Sequence, residues 1–588
     1  MRSGCHRWVK QYGLAHLPAV PIIVFLVTLG IFSPASANDG RTSDAQAVSK
    51  IVRTIWQGTH LSQELTGRLN KKAHQGAVVT LRSQGQWVTR VARENLTAVE
   101  SLKEAIVNAR NSITDVQRGH IDTIEVMLPY AVGNTGIPPS RLGNADRGRV
   151  GLLMRHTNGI AWFGPGYQVM TNRNLAKMRR AFQKQHGLSD RQMINEVKEK
   201  TFSGLHLLVP LSTERDASFL ERGNRLVLPS EAGQAAIRRF ADRGLGWLAR
   251  NVHDDGRLTY AYHPSVGKES TANNVIRQWL ATLALERSAA FFDDPDMWKL
   301  AGRNIDYNLR TFFREIDGLG AIYFRDRVKL GAVAIAALAI MTHPNRAKWR
   351  DQEQLLRETV EHLWNEDGSF RTFLMPRARN DNQNFYPGEA LYMWAHLYRE
   401  THDPKLLDRI MRSFRYYRDW HLGENRNPAF VPWHTQAYFM VWQQTHDAEL
   451  KDFIFEMNDW LLLIQQGPEA LPYADMAGRF YAPHGRYGPP HASSTGVYLE
   501  GLSDALKLAR AVGDQGRAET YEAAIRRGFR SLIQLQFDGD ADAFYVAREM
   551  RKYVDGGLRT TVYDNRIRCD NVQHGLMAAL TFLSVSEK

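Results

Sequence analysis

The chain has 588 residues, a net charge of +13 and two cysteines, Cys5 and Cys569. That length allows a large buried core without disulfides, and two cysteines exclude a zinc site built from several thiolates. The basic residues are dispersed rather than massed in runs. Such a distribution indicates either a solvated basic surface or a polyanionic partner.

Residues 1–37 predict a secretory signal peptide. Arg2, Arg7 and Lys10 precede the apolar run AVPIIVFLVTLGIF, which is followed by an A-x-A cleavage site at 35–37. The run is short for a membrane span, which needs about 20 residues, so an uncleaved anchor is the minor alternative. We therefore expect a periplasmic or secreted protein with Cys569 as its sole cysteine. The polyanionic partner of an exported protein would be an acidic polysaccharide or the anionic envelope surface, not nucleic acid.

Residues 38–228 predict a separate α/β (α+β) domain. GAVVTLRSQGQWVTRV alternates like a hairpin, HIDTIEVMLPY and GRVGLLMRHTNGIAWFGPGY have strand patterns, and AVESLKEAIVNARNSI and NLAKMRRAFQKQHGLSD have helical patterns. The order of these elements and GLLMRHTNGIAWFGP resemble the AMMECR-like fold. WVTRVAREN stands where that family carries a Leu-Arg-Gly-Cys-Ile-Gly motif, so the resemblance implies no activity. With no nucleotide loop, triad order or metal spacing, we expect a packing or docking role.

From about residue 230 one unit occurs six times. Each unit has an amphipathic helix such as RAKWRDQEQLLRETVEHLW, a loop, and a helix that is apolar on nearly all sides, such as LGAVAIAALAIMTH. A helix without a polar face must be buried all round. The apolar helices are predicted to begin near residues 272, 328, 387, 433, 494 and 571. Residues 229–588 therefore predict an all-α (α/α)6 toroid, with the apolar helices inside and the amphipathic helices outside.

The loops before the apolar helices share a pattern that runs from turn residues to an aromatic residue. They are DDGRLTY at 254, DGLGAIYF at 317, DGSFRTF at 367, NPAFVPW at 427, AGRFY at 477 and ADAFY at 541. We interpret them as short strands or extended segments at the rim of the toroid.

Three of the inner-helix segments resemble a known family. NFYPGEALYMWAHLYRETHDP, SSTGVYLEGLSDALKLARAVGD and RIRCDNVQHGLMAAL are similar to motifs of six-hairpin glycosidase proteins and of the related C-terminal toroid of uronyl 5-epimerases. The resemblance covers about residues 230 to 588 and implies a carbohydrate-active enzyme. Toroids of this kind host hydrolases, lyases, epimerases and cyclases. A single cysteine argues against lanthionine-type cyclases, and the absence of Asp-x-Asp-Asp argues against terpene-type chemistry.

Glycoside hydrolysis is the reaction we favour, and it needs two carboxylates, one protonated and one ionised. At the predicted rim we assign Glu389 and Asp570 to these roles, with Glu500 as a substitute. Helix capping is the competing explanation for Glu389 and Asp570, because both fall near the start of an inner helix. The predicted substrate-binding residues are Tyr386, Trp433, His434, His491, Arg325, Arg568, His574 and Tyr481.

Two other functions stay open. A uronate 5-epimerase or a polysaccharide lyase would neutralise the sugar carboxylate and remove the neighbouring proton with a Tyr or His. A non-catalytic toroid could instead bind glycan as a scaffold in polysaccharide export.

No cofactor is expected apart from a weak calcium pattern in DGDADAFYVARE. There Asp538, Asp540, Asp542 and Glu549 fall at positions 1, 3, 5 and 12 of a calcium loop. Ala543 replaces the required glycine at position 6, which favours a solvated acidic turn.

Overall fold

The computed structural model describes residues 34–59, 61, 74–94, 96–142, 146–211, 216–423, 425–467, 473–481 and 491–586, with side chains from residue 45 to residue 585. Most of the predicted signal peptide lies outside the described residues. Met1–Ser43 and Asp44–Lys588 are separate compact units. Among the described residues, no helix is both long and apolar enough to cross a membrane.

The first part of the larger unit is an eight-stranded antiparallel sheet with helices. The strands are β1 (Ala77–Ser83), β2 (Gln86–Arg93), β3 (Thr123–Tyr130), β4 (Gly151–His156), β5 (Gly159–Phe163), β6 (Lys198–Pro210), β7 (Ser218–Glu221) and β8 (Asn224–Arg225). Their order in the sheet is β2-β1-β3-β6-β4-β5, with β7 paired to β6 and β8 paired to β7. The helices are α1 (Pro34–Gln57), of which the residues from Asp44 onward belong to this unit, α2 (Ala98–Asn111), α3 (Asp115–Gly119), α4 (Tyr167–Met170), α5 (Leu175–His186) and α6 (Asp190–Asn195).

The alternation of β1 explains how the sheet is covered. Val79 and Leu81 point to one face, where they pack with Leu102 of α2 and Ile51 of α1 in one apolar cluster. Val78 points to the opposite face, into a smaller cluster. The predicted hairpin, strands and helices of this region are confirmed. Apolar residues alternate along its strands and recur every 3.6 residues along its helices, so the two kinds of element can be told apart in the sequence.

The second part consists of six helical hairpins. The amphipathic helices are α7 (Gln234–Arg250), α9 (Pro295–Phe312), α11 (Arg350–His362), α13 (Pro404–Leu422), α15 (Ala448–Leu462) and α17 (Gln515–Leu535). The apolar helices are α8 (Val275–Phe292), α10 (Leu330–Thr342), α12 (Tyr386–Thr401), α14 (Val431–Thr445), α16 (Ala492–Ala511) and α19 (Cys569–Ser586). A short helix, α18 (Asp540–Ala543), precedes the last of them.

The six apolar helices form a closed ring. Each packs against the next in chain order, from α8 through α10, α12, α14 and α16 to α19, and α19 packs back against α8. The amphipathic helices pack outside this ring; for example, α9 lies against α8 and α17 against α16. The predicted (α/α)6 toroid is therefore confirmed. In the inner helix α10, every residue from Leu330 to Met341 is buried.

Acidic caps begin four of the outer helices. The side chains of Asp294, Asp403, Asp447 and Asp514 accept hydrogen bonds from backbone N–H groups in the first turns of α9, α13, α15 and α17. Such caps satisfy donors that a helix leaves free at its start, which stops the preceding inner helix from simply continuing. The other two outer helices lack such a cap: Gly233 precedes α7, and Asn345 caps nothing before the 3-10 turn that leads into α11.

The rim of the toroid is the set of segments that connect an outer helix to the next inner helix. Short antiparallel pairs close most of these segments: β11 (Phe313–Ile316) with β12 (Leu319–Ile322), and single bridges such as Val252 with Leu258 and Trp364 with Phe370. Two predicted rim strands are wrong. NPAFVPW already enters α14 at Val431, and ADAFY lies largely in the short helix α18.

The remaining strands also lie at the rim. They are β9 (Ala261–His263), β10 (Lys268–Glu269), β13 (Val328–Lys329), β14 (Phe373–Met375), β15 (Arg559–Thr561) and β16 (Asp564–Arg568). Strand β9 pairs with β16, so the beginning of the toroid is joined to its last rim segment.

The sheet part and the toroid belong to one compact unit. The last strand of the sheet ends at Arg225, and α7 begins at Gln234. Arg222 is buried and donates to Asp475 of the toroid, with Nε 2.6 Å from Oδ2. The Tyr473 hydroxyl donates to Asp146 over 2.6 Å. Breaking a buried ion pair leaves an unpaired charge, so these contacts fix the two parts to each other.

Glu286 of α8 is an unusual member of the inner ring. It lies one turn after Thr282, whose hydroxyl donates to Asn304 of α9, and it is fully buried. Neither carboxyl oxygen has a hydrogen-bond partner among the described residues. Burial therefore raises the pKa of Glu286 well above its ordinary value, opposed by Arg287.

We predict that Glu286→Gln makes the protein less sensitive to rising pH. Because the folded pKa of Glu286 is raised, its contribution to stability is present below about pH 4.5 and is lost as the pH rises towards the folded pKa. Up to about 1.4 kcal/mol of unfolding free energy is lost per pH unit. Thermal unfolding at pH 5 and pH 7 should show that the Tm advantage of the variant over the wild type grows with pH.

The exposed Glu519, in α17, provides the control. Glu519→Gln should leave the pH dependence of the Tm unchanged. Parallel Tm curves for the wild type and the Glu286 variant would contradict the prediction.

Candidate active site

The inner helices all begin at the same end of the ring, which we call the mouth. Short connectors make each outer and inner helix antiparallel, so the six inner helices run in the same direction. Ionisable side chains from five inner helices, or from the segments that lead into them, face one another there. This mouth cluster comprises Tyr260, Arg277, Lys329, Tyr386, Glu389, His491, Arg568 and Asp570.

Asp570, in the first turn of α19, is held by two arginines. Arg568 donates to it from both Nε, at 2.8 Å, and Nη2, and the Arg277 Nε lies 3.1 Å from Oδ2. The carboxylate is fully buried. Burial alone would raise its pKa, but Arg277 and Arg568 hold the pKa well below its ordinary value. Asp570 is therefore an ionised carboxylate at neutral pH.

Glu389, in the first turn of α12, has the opposite setting. It is 2% exposed, and none of the described residues forms a hydrogen bond with its carboxyl group. Burial raises its pKa to about 7, opposed by the charges of Arg277 and Lys329. Glu389 forms no capping hydrogen bond at the start of α12, although its place in the first turn still favours an interaction with the helix dipole. Asp570 likewise bonds to arginines rather than to its helix.

A glycine makes room for Glu389. A Cβ placed on Gly331 of the neighbouring helix α10 would lie 1.7 Å from the Glu389 Oε2. Any larger residue at this position would have to displace the carboxyl group. The close approach of α10 and α12 at the mouth thus depends on Gly331. This close approach determines the position of the Glu389 carboxyl group.

His491 precedes α16 and is restricted to one protonation state. Its Nδ1 accepts from the backbone N–H of Ser494 at 3.2 Å and pairs with the Ser493 hydroxyl at 2.9 Å. Burial and the nearby Arg568 lower its pKa to about 4. The neutral ring therefore carries its proton on Nε2, and His491 is a hydrogen-bond donor rather than a base.

Lys329 and two tyrosines complete the cluster. Burial lowers the pKa of Lys329, as do Arg327 and Arg277, and no carboxylate of the described residues lies within ion-pair distance of it. Burial raises the pKa of Tyr260 and that of Tyr386, and the charges of Asp570 and Glu389, respectively, raise them further. Both phenols remain protonated and can donate hydrogen bonds.

A second polar group lies deeper in the ring. His574, one turn after Asp570, pairs with Glu500 of α16, with Nδ1 2.7 Å from Oε1. Arg287 lies 3.7 Å from Glu500 and donates to the Tyr392 hydroxyl over 2.6 Å. Glu500 is eight residues into its helix, or about 12 Å along the axis. Glu500 therefore lies below the mouth, and its partner His574 is nearer to the mouth cluster.

Trp433 lies in the interior of the ring. Its ring centroid is 6.2 Å from that of His574 and 6.3 Å from that of Tyr392. It is buried, so it forms a wall below the mouth cluster rather than an exposed platform.

Three predicted site residues lie outside the cluster. His434 is fully buried, stacks on Phe430 at 3.5 Å and faces Tyr417 of the outer helix α13. Arg325 is an exposed loop residue over the ring of Phe324. Tyr481 lies beneath Arg479. The structure thus brings together Tyr386, His491, Arg568, Glu389 and Asp570, with His574, Glu500 and Trp433 below them.

Sequence reasoning missed Arg277 and Lys329. Arg277 is the only charged residue in the first two turns of α8, and Lys329 directly precedes the apolar helix α10. A lone charge at the start of a helix that is otherwise buried on all sides was the available signal.

Three carboxylates of the calcium pattern pair with arginines. Asp542 lies 3.3 Å from Arg559, Asp538 lies 3.2 Å from Arg243, and Asp540 pairs with Arg551. These arginines neutralise the carboxylates that calcium would need. Across the described ranges, no group of three His, Cys, Asp or Glu residues is placed to hold a metal ion.

No family model matches the sequence, and no curated protein matches it. Among solved structures, an unsaturated glucuronyl hydrolase from Streptococcus agalactiae is 14% identical, with a TM-score of 0.43 over 61% of this chain and 93% of the other. A D-mannose isomerase is 12% identical, with a TM-score of 0.45 over 61% of this chain and 99% of the isomerase chain. An α-1,6-mannanase of Salegentibacter sp. HEL1_6 is 12% identical, with a TM-score of 0.42 over 59% of this chain and 99% of the mannanase chain.

The six-hairpin toroid is assigned from this chain's own helix contacts. The site within it is a cationic mouth that contains one ionised carboxylate and one carboxyl group with a pKa near neutrality. The AMMECR-like resemblance of the sheet part stays a prediction.

We predict that Asp570→Asn destabilises the protein strongly. The change leaves Arg277 and Arg568 without their buried partner, which costs about 3–5 kcal/mol in comparable pairs. Because the folded pKa of Asp570 is depressed, this contribution is present at neutral pH and is lost only as the pH falls below about 3.8. Thermal unfolding at pH 7 should show a clearly lower Tm.

Asp381, which pairs with Arg379 on the surface, provides the matched control. Asp381→Asn should change the Tm little, since exposed ion pairs contribute little. Equal Tm values for the two variants would show that the Asp570 pair is not structurally important.

Proposed function

We propose that this chain is an exported carbohydrate-active enzyme that hydrolyses glycosidic bonds in an acidic polysaccharide. One observation carries the proposal: two buried carboxyl groups at the mouth have pKa values pushed apart, that of Glu389 up to about 7 and that of Asp570 down. Hydrolysis of a glycoside requires this combination of a proton donor and an ionised carboxylate. The charge of Arg277 acts on both carboxyl groups, which supports their acting at the same mouth.

The charges of the mouth favour an acidic sugar. Arg277, Arg568 and Lys329 supply three positive charges, whereas Asp570 supplies one full negative charge and Glu389 only part of one near neutral pH. The surplus is concentrated where solvent is partly excluded, which strengthens its attraction for an anion. A uronate carboxylate would neutralise it, and Lys329 is the cation without a carboxylate partner among the described residues.

In the proposed reaction, Glu389 transfers its proton to the leaving glycosidic oxygen as the bond from that oxygen to the sugar carbon breaks. Asp570 stabilises the positive charge that develops on the sugar ring. Asp570 then either takes a proton from the attacking water or bonds to the carbon itself; the two courses give opposite stereochemistry. The His491 Nε2–H and the phenols of Tyr260 and Tyr386 would donate hydrogen bonds to sugar hydroxyls.

A uronate 5-epimerase or lyase is the second candidate, and the same cations favour it. If Arg277 and Lys329 neutralised the carboxylate of a uronate, its neighbouring proton would become more acidic. Because the pKa of Glu389 is about 7, part of it is deprotonated at neutral pH, and this carboxylate could remove that proton as a general base. This reaction requires the ionised form of Glu389, whereas hydrolysis requires the protonated form.

The pH profile separates these roles. With Glu389 as general acid, we predict that kcat/KM falls as the pH rises through about 7, because deprotonation removes the catalytic proton. Glu389→Gln should lower the rate by about 10²- to 10⁴-fold and abolish this limb of the profile. Glu400→Gln, at the exposed far end of the same helix, should leave both unchanged. A rate that rises through pH 7 would assign Glu389 as a base and overturn the hydrolase.

Product analysis gives an independent test. The wild type is incubated with polygalacturonate, alginate and hyaluronan in deuterated water. New reducing ends without ultraviolet absorbance are the expected result. New absorbance from an unsaturated sugar would identify a lyase, and deuterium at carbon 5 without cleavage would identify an epimerase. Unchanged polymers would overturn both and leave the non-catalytic scaffold.

A further inference from the structure

A groove of about 490 Å³ lies between the sheet part and the toroid, away from the mouth cluster. One wall is the β1–β2 hairpin with the nearby helix α4, and the other is the turn after β9 with the segment around Val546. Its lining includes Trp87, Arg90, Tyr167, Ser265, Val266 and Tyr545.

The groove has a rigid floor. A Cβ on Gly85, in the hairpin turn at a φ of +83°, would lie 2.1 Å from the Val546 carbonyl oxygen, so the hairpin is pressed directly against the toroid. The backbone N–H of Arg548 donates to the Gln84 carbonyl over 2.9 Å. The groove is therefore built by the docking of the two parts and would not exist in either alone.

Two exposed apolar side chains stand on its opposite walls. Trp87 is 50% exposed on the hairpin side, and Val266 is 63% exposed on the toroid side. A single exposed apolar side chain is ordinary, but two that face each other across a groove are typical of a ligand-binding surface. Aromatic rings of this kind stack against the apolar faces of ligands.

Arg90 gives the groove a positive charge. Its guanidinium lies 4.1 Å above the Trp87 ring and 5.8 Å from the Tyr167 ring, and its Nε donates to Thr80 over 2.9 Å. No carboxylate lies within ion-pair distance of it in the part of the chain that the structure describes. The neighbouring Arg82, by contrast, is neutralised by Glu125 at 2.7 Å. The single negative charge of Glu125 acts on both Arg82 and Arg90, so the groove keeps a net positive charge. The Arg90 guanidinium, which carries part of that charge, is stacked on the Trp87 ring.

Strand β16 connects the groove to the mouth. Asn565 in this strand donates to Ser265, at 2.9 Å, and to Tyr545, at 3.1 Å, in the groove wall. Arg568, three residues further along the strand, bonds to Asp570 in the mouth cluster. Three strand residues span about 10 Å. A short run of linked sugars could therefore occupy both places at once.

We propose that this groove is an accessory binding site for the acidic polysaccharide, in which a sugar ring stacks on Trp87 and a uronate carboxylate binds Arg90. The inference rests on the proposed function for the identity of the ligand. It gives the sheet part a role: the sheet part holds a distant portion of the same chain whose bond is cleaved at the mouth.

The test measures binding without turnover, in the Glu389→Gln background. Isothermal titration with polygalacturonate, alginate and hyaluronan should show binding of at least one polymer, and addition of Trp87→Ala should weaken it on the order of 10-fold. Addition of Arg90→Gln should weaken it and reduce its dependence on salt. Tyr130→Ala, which removes an exposed aromatic residue elsewhere in the sheet part, should have no effect. Neutral dextran should not compete.

Chain length provides the second readout. In the wild-type background, Trp87→Ala should raise KM for the bound polymer and leave kcat/KM for its disaccharide unchanged. Binding that is insensitive to both groove substitutions would overturn the accessory site and leave the proposed hydrolysis at the mouth unaffected. Groove-dependent binding without any turnover would retain the site and overturn the hydrolase. Failure of all three polymers to bind, or equal binding of dextran, would overturn the accessory site.

Discussion

The absence of a polar face on the inner helices is the constraint from which the rest of the structure follows. A helix such as α10, buried from Leu330 to Met341, is stable only if apolar surfaces surround it, and a closed ring of six such helices achieves this for all of them. Short connectors then place every inner helix in the same direction. The common direction gathers the ionisable side chains at the helix starts into one mouth, whereas Glu286, Glu500 and His574 lie deeper in the ring.

Arg277 sets the electrostatics of that mouth. It neutralises Asp570 at 3.1 Å and also lowers the pKa of Glu389, yet burial still raises the latter to about 7. The difference between the two carboxyl groups comes from the number of cations each one contacts: Asp570 bonds to two arginines, whereas Glu389 bonds to none. Gly331 preserves this difference, because a side chain there would push Glu389 out of its buried position.

The sequence predicted the ring because the signal was repeated. The predicted starts of the inner helices, such as 387 and 571, fall within three residues of Tyr386 and Cys569, and the site acids Glu389 and Asp570 follow from those starts. Rotation about each helix axis was not predictable to the same degree. His434 was therefore placed at the mouth although it faces α13, and Trp433, its neighbour in sequence, lies inside the ring. The role of Arg277 could not be predicted from its local sequence, because its partner Asp570 is almost 300 residues away along the chain.

The sheet part shows why local patterns did not suggest its role. Its strands and helices follow from alternation and capping, but Trp87 and Arg90 acquire a meaning only opposite Val266 and Tyr545, which belong to the toroid. A half-exposed tryptophan on an isolated sheet would be an ordinary surface residue. Next to the toroid it becomes one wall of a groove that β16 links to the mouth. The buried pair between Arg222 and Asp475 links the sheet part to the toroid and so holds the two walls of the groove in place. A preformed groove binds its ligand more tightly, because no free energy is lost in ordering it.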